Sequence, residues 1–190
     1  LHVQFPKQEK TLEFENSKFR FCTECLIKGK NIDHQKIQEF IQEIGDSIVI
    51  AGSRSKAKIH IHTNNPSKVF NICESFGSTK NQKADDMHAQ VASSHKSNSK
   101  IAIVTDSGCD IANDSHNKNI HMVPVRYSFG DKEYIDKISQ TSKEFYHELK
   151  TNPRHPKTSQ PPAGDFISKF EYLSTHFESI ISIHIPEKLS

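Results

Sequence analysis

The stretch Ile101-Ala-Ile-Val-Thr-Asp-Ser-Gly-Cys-Asp110 decides the fold of the second half of the chain, because an apolar run passes directly into a polar turn. This order is typical of a buried parallel strand followed by a glycine-containing loop. A second stretch, Thr158-Ser159-Gln160-Pro161, places two hydroxyls and an amide on a proline-bounded loop ahead of a predicted helix. Ligands of open α/β sheets usually bind at the carboxyl ends of the strands. We therefore expect both stretches to contribute to a ligand site.

Strands and helices alternate around these stretches, and this alternation predicts a parallel α/β lobe. The capping-box pattern of Thr141 and Glu144 marks the start of one helix. In chain order, the other predicted elements are a strand at 101–104, a short helix at 111–117, a strand at 120–127, a turn at 129–131, a helix at 166–177 and a strand at 180–185.

The first region has a different pattern of apolar residues, which predicts the order β-α-β-β-α. A strand at 18–28 precedes a helix that ends at Gly45, and strands at 47–51 and 56–62 then form a hairpin. A second helix opens with Asn65 and closes at Gly77. This order predicts an α+β module, a ferredoxin-like plait with helices on one face of an antiparallel sheet. The helix residues expected on the buried face are Ile37, Phe40, Ile41, Ile44, Val69, Ile72, Cys73 and Phe76.

A run rich in serine, lysine and asparagine at 93–100 has the composition of a linker. It predicts an accessory region at 1–91, a linker at 92–100 and a second region at 101–190. The chain starts without Met, and its last residues follow an apolar strand pattern. We therefore expect it to be a segment of a longer protein.

The balance of charge excludes the basic footprint of a nucleic-acid-binding protein, because 25 Lys and Arg residues stand against 23 Asp and Glu residues without clustering. No segment approaches the ~20 apolar residues that span a bilayer, and no signal peptide is visible. Four cysteines without a secretory signal indicate a reducing compartment. We expect a cytoplasmic protein with no nucleic-acid partner and no transmembrane segment.

Two pairs of metal-ligand side chains fall on predicted strands of the first region, Cys22 with Cys25 and His60 with His62. His-x-His on a strand places both imidazoles on one face, because side chains alternate. Two thiolates and two imidazoles are a usual ligand set for tetrahedral zinc. Glu24, between the thiols, is placed to act as a ligand or a proton carrier. The alternative is that His60 and His62 occupy the solvent face of a hairpin, and the spacing leaves both interpretations open.

The polar turn after the strand at 101–104 does not have a nucleotide fingerprint, because it contains one glycine and no lysine at the required place. Asp106 is expected to accept hydrogen bonds from neighbouring loop amides. Thr158 and Ser159 are candidates for ligand contact, and the alternative for them is helix capping. A Pro-Pro pair weakens that alternative, since a capping oxygen acts two or three residues from the amide it satisfies.

Six short pieces of the second region carry a family resemblance: Val104-Thr-Asp-Ser107, Val123-Pro124-Val125, Phe129-Gly130-Asp131, Glu144-Phe145-Tyr146, Thr158-Ser-Gln-Pro161 and Ser182-Ile-His-Ile185. With them, residues 100–190 resemble the first part of a DegV-family protein, the fatty-acid-binding type of subunit in bacterial fatty acid kinase. In that family a long acyl chain lies in a tunnel between two lobes, and two hydroxyls hold its carboxylate. The resemblance implies Thr158 and Ser190 for these hydroxyls, with Ser159 and Ser107 as further candidates.

Three pieces of the first region carry a second resemblance: Phe21-Cys-Thr-Glu24, Gly45-Asp46-Ser47 and Lys58-Ile-His-Ile-His-Thr-Asn64. Residues 17–91 are similar to the region after the kinase domain in the catalytic subunit of fatty acid kinase, itself similar to dihydroxyacetone kinase. In that family a Cys and two His gather at a metal site, which implies Cys22, His60 and His62 with zinc as the ion. Cys25 falls at a position that is generally apolar. ATP would bind only through a kinase domain preceding Leu1.

Together the two resemblances imply a junction between a kinase accessory region and a fatty-acid-holding module. The implied reaction of the whole protein is ATP-dependent phosphorylation of a bound fatty acid to an acyl phosphate, a step of phospholipid metabolism in which this segment is not itself catalytic. The expected partners are a long-chain fatty acid and a kinase domain, in the same longer chain or on a kinase subunit. Two alternatives stay open: a metal-dependent phosphatase or hydrolase centred on Cys22, His60 and His62, and a structural docking segment.

Overall fold

The computed structural model of the protein describes residues 17–94, 100–109, 111 and 119–185. Up to residue 94 its elements are β1 Phe21–Lys28, α1 His34–Ile41, β2 Gly45–Ser53, β3 Lys56–Thr63, α2 Pro66–Glu74, β4 Ser78–Asp86 and α3 Met87–Ser94. The strands pair antiparallel in the order β2-β3-β1-β4. This is the strand order of a ferredoxin-like plait, so the fold predicted for the first region is confirmed.

Alternation along the strands gives this sheet a buried face and an outer face. Cys25 and Ile27 of β1 are buried, as are Ile59 and Ile61 of β3. Apolar side chains of α1 and α2 pack on these residues in one hydrophobic cluster. The opposite side chains of β1 and β3 therefore lie on the outer face, away from the two helices.

Side-chain caps fix where several helices begin. Asp33 and Asn65 each accept a hydrogen bond from the amide three residues on, both at 3.1 Å, at the starts of α1 and α2. Pro66 occupies the first turn of α2, where a missing N–H leaves no intrahelical bond unmade. The capping box of Thr141 and Glu144 is also present, and the predicted helix starts are confirmed by these bonds.

Helix α1 is shorter than the sequence predicts. Gly45, expected to close it, is the first residue of β2, and the helix ends at Ile41. Phe40, expected on the buried face, is 58% exposed, whereas Ile37 and Ile41 are fully buried. The reason is that a helix of two turns needs only one i, i+4 pair to fill the stripe that faces the sheet. Phe40 lies at the flank of this stripe.

Strand β4 is not predicted from the sequence, because Ala84 is the only apolar residue in Ser78–Asp86. The strand forms through its backbone pairing with β1. Its buried side chains include Thr79 and Gln82, which are polar. A pattern of apolar residues therefore carries no signal for this strand.

The second region contains a parallel sheet and a smaller antiparallel sheet. Strands β10, β5 and β6 are parallel and adjacent in that order, and β8, β7 and β9 form the antiparallel sheet. The parallel α/β prediction is confirmed, while the antiparallel sheet is not predicted from the sequence. The elements are β5 Ile101–Asp106, β6 Ile120–Val123, β7 Arg126–Phe129, β8 Lys132–Ile135, α4 Ser142–Thr151, β9 Lys157–Ser159, α5 Ala163–Leu173 and β10 Ser179–Ile183.

The single strand predicted at 120–127 is wrong, because it divides into β6 and β7. Pro124 has no N–H to donate to a sheet, and Val125 N donates to Ser107 Oγ at 2.9 Å instead of to a strand. β6 stays in the parallel sheet, and β7 turns away into the antiparallel one. Gly130, with a φ of 62°, makes the predicted turn between β7 and β8.

Two other predictions fall partly outside the described residues. Of the short helix predicted at 111–117, only residue 111 is described. The predicted linker at 92–100 begins inside α3, which continues to Ser94, and its residues 95–99 are not described. Within the described ranges, every helix is too short or too polar to cross a lipid bilayer.

The two regions pack against each other along a seam formed by β4 and the β7–β8 hairpin. Ile135 of β8 is buried in the hydrophobic cluster of the first region, and Ile138 packs against that cluster. Arg126 Nη1 donates to the carbonyl oxygen of Gln82 at 2.8 Å, and Nη2 lies 3.3 Å from the Asp165 carboxylate. Apolar and polar contacts therefore both cross the seam.

Candidate functional site

The outer face of the first-region sheet carries a cluster of metal-ligand side chains. Cys22 lies on β1, and His60 and His62 lie on β3. The sulfur and the ring nitrogens that they offer lie within 4.8 Å of one another. Antiparallel register accounts for this, because Cys22 pairs with His62, and His60 follows on the same face of β3. The structure thus brings together the three residues implied by the resemblance.

The separations suit a tetrahedral ion held by one sulfur and two nitrogens. Cys22 Sγ lies 3.8 Å from His60 Nδ1. Zinc bonds of about 2.3 Å to sulfur and about 2.0 Å to nitrogen place such ligand atoms about 3.5 Å apart at the tetrahedral angle. The ring centroids of His60 and His62 are 5.2 Å apart, so both rings border the same space. The residues present therefore fit zinc.

Glu24 lies next to this cluster and contacts two basic side chains. Its carboxylate lies 3.1 Å from His60 Nδ1 and 3.0 Å from Lys58 Nζ. Burial acts to raise the pKa of the Glu24 carboxyl, but the hydrogen bonds to Lys58 and His60 outweigh burial and hold the pKa below its ordinary value. Glu24 is therefore a carboxylate at neutral pH, and it lies beside the same His60 nitrogen, Nδ1, that faces the Cys22 sulfur.

Two further carboxylates flank the cluster, and neither is predicted from the sequence. Asp46 Oδ1 of β2 lies 3.7 Å from His62 Nδ1, and Asp85 of β4 pairs with Cys22. Burial, together with the negative charges of Asp85 and Glu24, raises the pKa of the Cys22 thiol to about 11. Cys22 is therefore a thiol at neutral pH unless a cation stabilises the thiolate. Strand register brings these two carboxylates to the cluster, and the spacing of residues in the sequence does not reveal that register.

Cys25 does not belong to the cluster. Side chains three residues apart on a strand point to opposite faces, and Cys25 is buried in the hydrophobic cluster with Cys73. The zinc set that combines Cys22 with Cys25 is therefore wrong. The side chains of His60 and His62 are 28% and 18% exposed, so they are partly buried rather than free on a solvent face.

The turn after β5 is held by its own polar groups. Asp106 Oδ1 accepts a hydrogen bond from Gly108 N at 2.8 Å, as the sequence predicts. Ser107 is buried, and its Oγ accepts from Val125 N at 2.9 Å. A serine hydroxyl that accepts a bond keeps its proton for donation. Ser107 therefore retains one donor.

Thr158 and Ser159 lie in β9 at the edge of the antiparallel sheet, so the loop predicted for them is wrong. The physical reason is pairing with β7, which places Thr158 opposite Tyr127 and Ser159 opposite Arg126. Both residues are exposed. The capping alternative is not observed, because Pro162 occupies the cap position of α5 and no side chain bonds there.

Ser107 and β9 meet on the same short segment of backbone. Ser107 bonds to Val125 N, and Ser159 pairs with the next residue, Arg126. The hydroxyls after β5 and those of β9 therefore flank the connection between β6 and β7. Ser190, which the resemblance adds to this set, lies outside the described residues.

A cavity of about 230 Å³ lies between the two regions, and it is not predicted from the sequence. Its lining includes His121, Arg126 and Lys169 beside apolar side chains. Burial, with the nearby charge of Lys169, lowers the pKa of His121 to about 4. His121 Nε2 and Arg126 Nε are buried without a hydrogen-bond partner among the described groups. The described acyl-head candidates do not line this cavity, so the two places are separate.

Two protein-family models match the chain. Residues 100–190 match the model described as an uncharacterised protein of the DegV family. Residues 18–94 match the model of the FakA-like middle domain, which belongs to a fatty acid kinase. The matches adjoin across residues 95–99.

Curated relatives match the second half of the chain. Protein DegV of Bacillus subtilis (strain 168) is 36% identical over 91 residues, which is 47% of this chain and 32% of the relative. A DegV domain-containing protein of Halalkalibacterium halodurans is 39% identical over 93 residues, or 48% of this chain and 33% of the relative. A DegV domain-containing 15.5 kDa protein of Staphylococcus aureus is 38% identical over 92 residues, or 48% and 65%. The chain spans about a third of the length of the first two relatives.

Two solved structures also match. The crystal structure of DegV, a fatty acid binding protein from Bacillus subtilis, gives a TM-score of 0.45 at 35% identity, over 48% of this chain and 33% of that one. A structure on fatty acid binding of a DegV family protein from Thermus thermophilus gives 0.44 at 28% identity, over the same shares. Because both TM-scores are low, sequence identity rather than superposition relates these chains.

Proposed function

We propose that the second region binds the carboxylate end of a fatty acid, because residues 100–190 match the DegV family model and residues 18–94 match the model of the middle domain of a fatty acid kinase subunit. Thr158 and Ser190 would donate hydrogen bonds to the carboxylate, with Ser159 and Ser107 as further candidates. The acyl tail would extend away from these hydroxyls. The occupant is a long-chain fatty acid.

The observation that supports this proposal is the convergence of two hydroxyl-bearing segments. Ser107 bonds to Val125, and Ser159 pairs with Arg126, so both segments border one stretch of backbone at the carboxyl end of β5. This is the end of a parallel sheet at which ligands usually bind. The 36% identity to DegV of Bacillus subtilis, which is described as a fatty acid binding protein, supports a fatty acid as the ligand.

Hydroxyl donors suit a carboxylate that is bound beside an apolar chain. A hydrogen bond to a charged group contributes about 1.5–3 kcal/mol. Each methylene of the tail that leaves water contributes about 0.8 kcal/mol. A long tail therefore supplies most of the affinity, and the hydroxyls fix which end of the fatty acid lies at the sheet.

Replacement of Thr158 by valine tests the head-group contact. Valine keeps the β-branched shape that suits an edge strand and removes only the hydroxyl. Loss of one bond to a charged group predicts about ten- to hundredfold weaker binding of oleate. Binding is measured by calorimetry, in the longest natural chain that carries these residues, and Thr158→Ser should restore it.

Thr151 supplies a matched control, because it is exposed and ends α4. Thr151→Val should bind oleate like the unchanged protein. The proposal fails if no acyl species co-purifies with that longest chain by mass spectrometry, and if Thr158→Val binds oleate as tightly as Thr151→Val.

The first region gives the proposed role of the bound acid. Because its matching family is that of a fatty acid kinase, we propose that the carboxylate is presented to a kinase domain that binds ATP. A carboxylate oxygen would attack the γ-phosphorus of ATP, giving an acyl phosphate and ADP. The kinase domain would belong to the same longer chain or to a separate polypeptide.

Zinc is the ion proposed for Cys22, His60 and His62. When bound, it would supply the positive charge that turns the Cys22 thiol into a thiolate, and it would tie β1 to β3. Elemental analysis should find one zinc ion per chain, lost in Cys22→Ala and retained in Cys109→Ala. Equal zinc content in the two variants would exclude Cys22 as a ligand.

A metal-dependent phosphatase or hydrolase centred on this cluster is not favoured, because the family that matches the region is that of a kinase. A docking segment without ligand chemistry is separated from the main proposal by the oleate measurement. The docking alternative requires that neither the unchanged protein nor its variants bind oleate.

A further inference from the structure

A hydrogen-bonded chain of Ser182, His184 and Asp106 lies at one edge of the parallel sheet. Ser182 Oγ is 2.5 Å from His184 Nε2. His184 Nδ1 is 3.3 Å from Asp106 Oδ2. The two ring nitrogens of one histidine thus connect a serine hydroxyl to a carboxylate. The metal and acyl-binding proposals use neither Ser182 nor His184.

The register between β10 and β5 brings these three side chains together. β10 lies parallel to β5 with Ile183 opposite Thr105, so the next residues, His184 and Asp106, come side by side at the carboxyl ends of their strands. Ser182 and His184 are two residues apart and share a face of the extended chain. The proximity of Ser182, His184 and Asp106 therefore follows from the fold rather than from a single rotamer.

The carboxylate and the ring are each held by further contacts. Asp106 Oδ1 accepts from Gly108 N at 2.8 Å, and Oδ2 accepts from Ile185 N at 3.3 Å. The His184 ring meets the Phe166 ring edge to face, with centroids 4.9 Å apart. Asp106 is therefore a fixed acceptor, and the imidazole has little freedom to turn away from it.

The connectivity determines which proton each nitrogen carries. A carboxylate accepts, so Nδ1 of His184 carries the proton that it donates to Asp106. In the neutral ring Nε2 is then the nitrogen without a proton, and it accepts from the hydroxyl of Ser182. This is the arrangement in which a histidine removes the proton of a serine during attack on a carbonyl carbon. Exposure decreases along the three residues: Ser182 is exposed, the His184 side chain is 32% exposed and the Asp106 side chain is 10% exposed.

We propose that Ser182 is a nucleophile for activated acyl groups, namely carboxylic esters and thioesters, with His184 as its general base and Asp106 as the positioning residue. Ser182 Oγ attacks the carbonyl carbon of R–CO–X, and its proton passes to His184 Nε2. The C–X bond breaks, and X leaves with that proton as HX. Water then attacks the acyl-serine, gives a proton to Nε2 and releases R–COOH as Ser182 regains its proton. No oxidant or other co-reactant is needed.

This activity goes beyond the proposed fatty-acid binding, and its test does not depend on it. If the probe labels Ser182 but the protein binds no oleate, this inference is supported and the fatty-acid-binding proposal fails. The competing role for the same bonds is a structural clasp that ties β10 to β5. The two roles differ in the reactivity that they give to the Ser182 oxygen.

A fluorophosphonate probe tests the reactivity directly, in the longest natural chain that carries these residues. Ser182 Oγ would attack phosphorus and displace fluoride, and peptide mass spectrometry would locate the adduct. Ser179 is a matched control, because it is an exposed serine of the same strand that lies outside the hydrogen-bonded chain of Ser182, His184 and Asp106. We expect label on Ser182, unchanged labelling of Ser182 in Ser179→Ala, and loss of that label in His184→Gln.

Hydrolysis of p-nitrophenyl butyrate gives the second measurement. General-base activation contributes about 10²–10⁴-fold, so Ser182→Ala and His184→Gln should each lower the rate at least about tenfold. Circular dichroism melts monitor folding, and Ser182→Ala should melt like the unchanged chain because Ser182 is exposed. The inference is overturned if Ser182 labels no faster than Ser179 or if Ser182→Ala leaves hydrolysis unchanged. It is also overturned if His184→Gln lowers the melting temperature without affecting labelling.

Discussion

Replacement of Arg126 by alanine should uncouple the unfolding of the two regions. Arg126 Nη1 donates to the carbonyl oxygen of Gln82 at 2.8 Å, and Nη2 lies 3.3 Å from the Asp165 carboxylate. The Arg126 side chain is 18% exposed, so water does not readily replace it at the seam. Arg126 therefore joins β4 of the first region to α5 of the second.

The size of the effect follows from these two contacts. A buried carbonyl that loses its partner costs about 1–3 kcal/mol, and the partly exposed ion pair adds about 0–1 kcal/mol. The expected loss is therefore about 1–4 kcal/mol in the free energy of unfolding. For a chain of this length, each kcal/mol lowers the melting temperature by about 2–4 °C.

The distribution of aromatic residues supplies the assay. The chain has no Trp, and all four Tyr residues lie after Arg126. Tyrosine fluorescence therefore follows the second region, whereas far-ultraviolet circular dichroism follows both regions. In urea, the two signals should change together in the unchanged protein. In Arg126→Ala the fluorescence transition should occur at lower urea than the dichroism transition.

Arg154 provides the control, because its ion pair with Asp131 is at 3.1 Å but the two side chains are 63% and 98% exposed. Such a pair contributes about 0–1 kcal/mol, so Arg154→Ala should leave the two transitions coincident. The reasoning is refuted if Arg126→Ala behaves like Arg154→Ala. It is equally refuted if the two signals already separate in the unchanged protein.

Three further predictions concern stability, each measured by urea unfolding. Ile59→Ala should cost about 2–5 kcal/mol, because Ile59 is fully buried between the sheet and its helices. His121 has a pKa of about 4 against an ordinary value of 6.5, so the unfolded chain binds more protons between these values and stability falls as the pH drops through that window. His121→Gln should make the fall less steep. Tyr134→Phe should cost about 1–2 kcal/mol because the hydroxyl donates to Glu148 at 2.9 Å, whereas exposed Tyr146→Phe should cost nothing measurable.

Elements that bury one apolar face are the ones that the sequence predicts. β3 alternates Ala57, Ile59 and Ile61 toward the core, and α2 presents Val69 and Cys73 to the same cluster. The hydrophobic effect acts on each of these faces independently of the rest of the chain. Their type can therefore be inferred before any tertiary contact is known.

Elements fixed by backbone pairing are the ones that the sequence does not predict. β4 has no apolar alternation and exists because β1 offers a free edge. The split between β6 and β7 has a local signal in Pro124, but the change of sheet depends on Ser107 binding Val125 N. The strand that contains Thr158 likewise depends on β7, which lies many residues away in the chain.

The same contrast holds for the candidate sites: some of their residues are implied by the sequence, and others are brought together only by strand register. The resemblance implies Cys22, His60 and His62, and the structure brings them together. Asp46 and Asp85 lie beside them through the β2–β3 and β1–β4 register, which spacing does not show. The contact between His184 and Asp106 is hidden for the same reason, because parallel pairing joins residues that are 78 positions apart.

Ile135 has a consequence for any attempt to divide this protein. The two family-model matches are separated near residue 95, yet Ile135 lies in the second match and packs in the hydrophobic cluster of the first region. A shortened chain that stops at the boundary would fold around a hole the size of that side chain. The folded unit of the first region therefore extends beyond residues 18–94, and an insertion in the β7–β8 hairpin would disturb the core of that region.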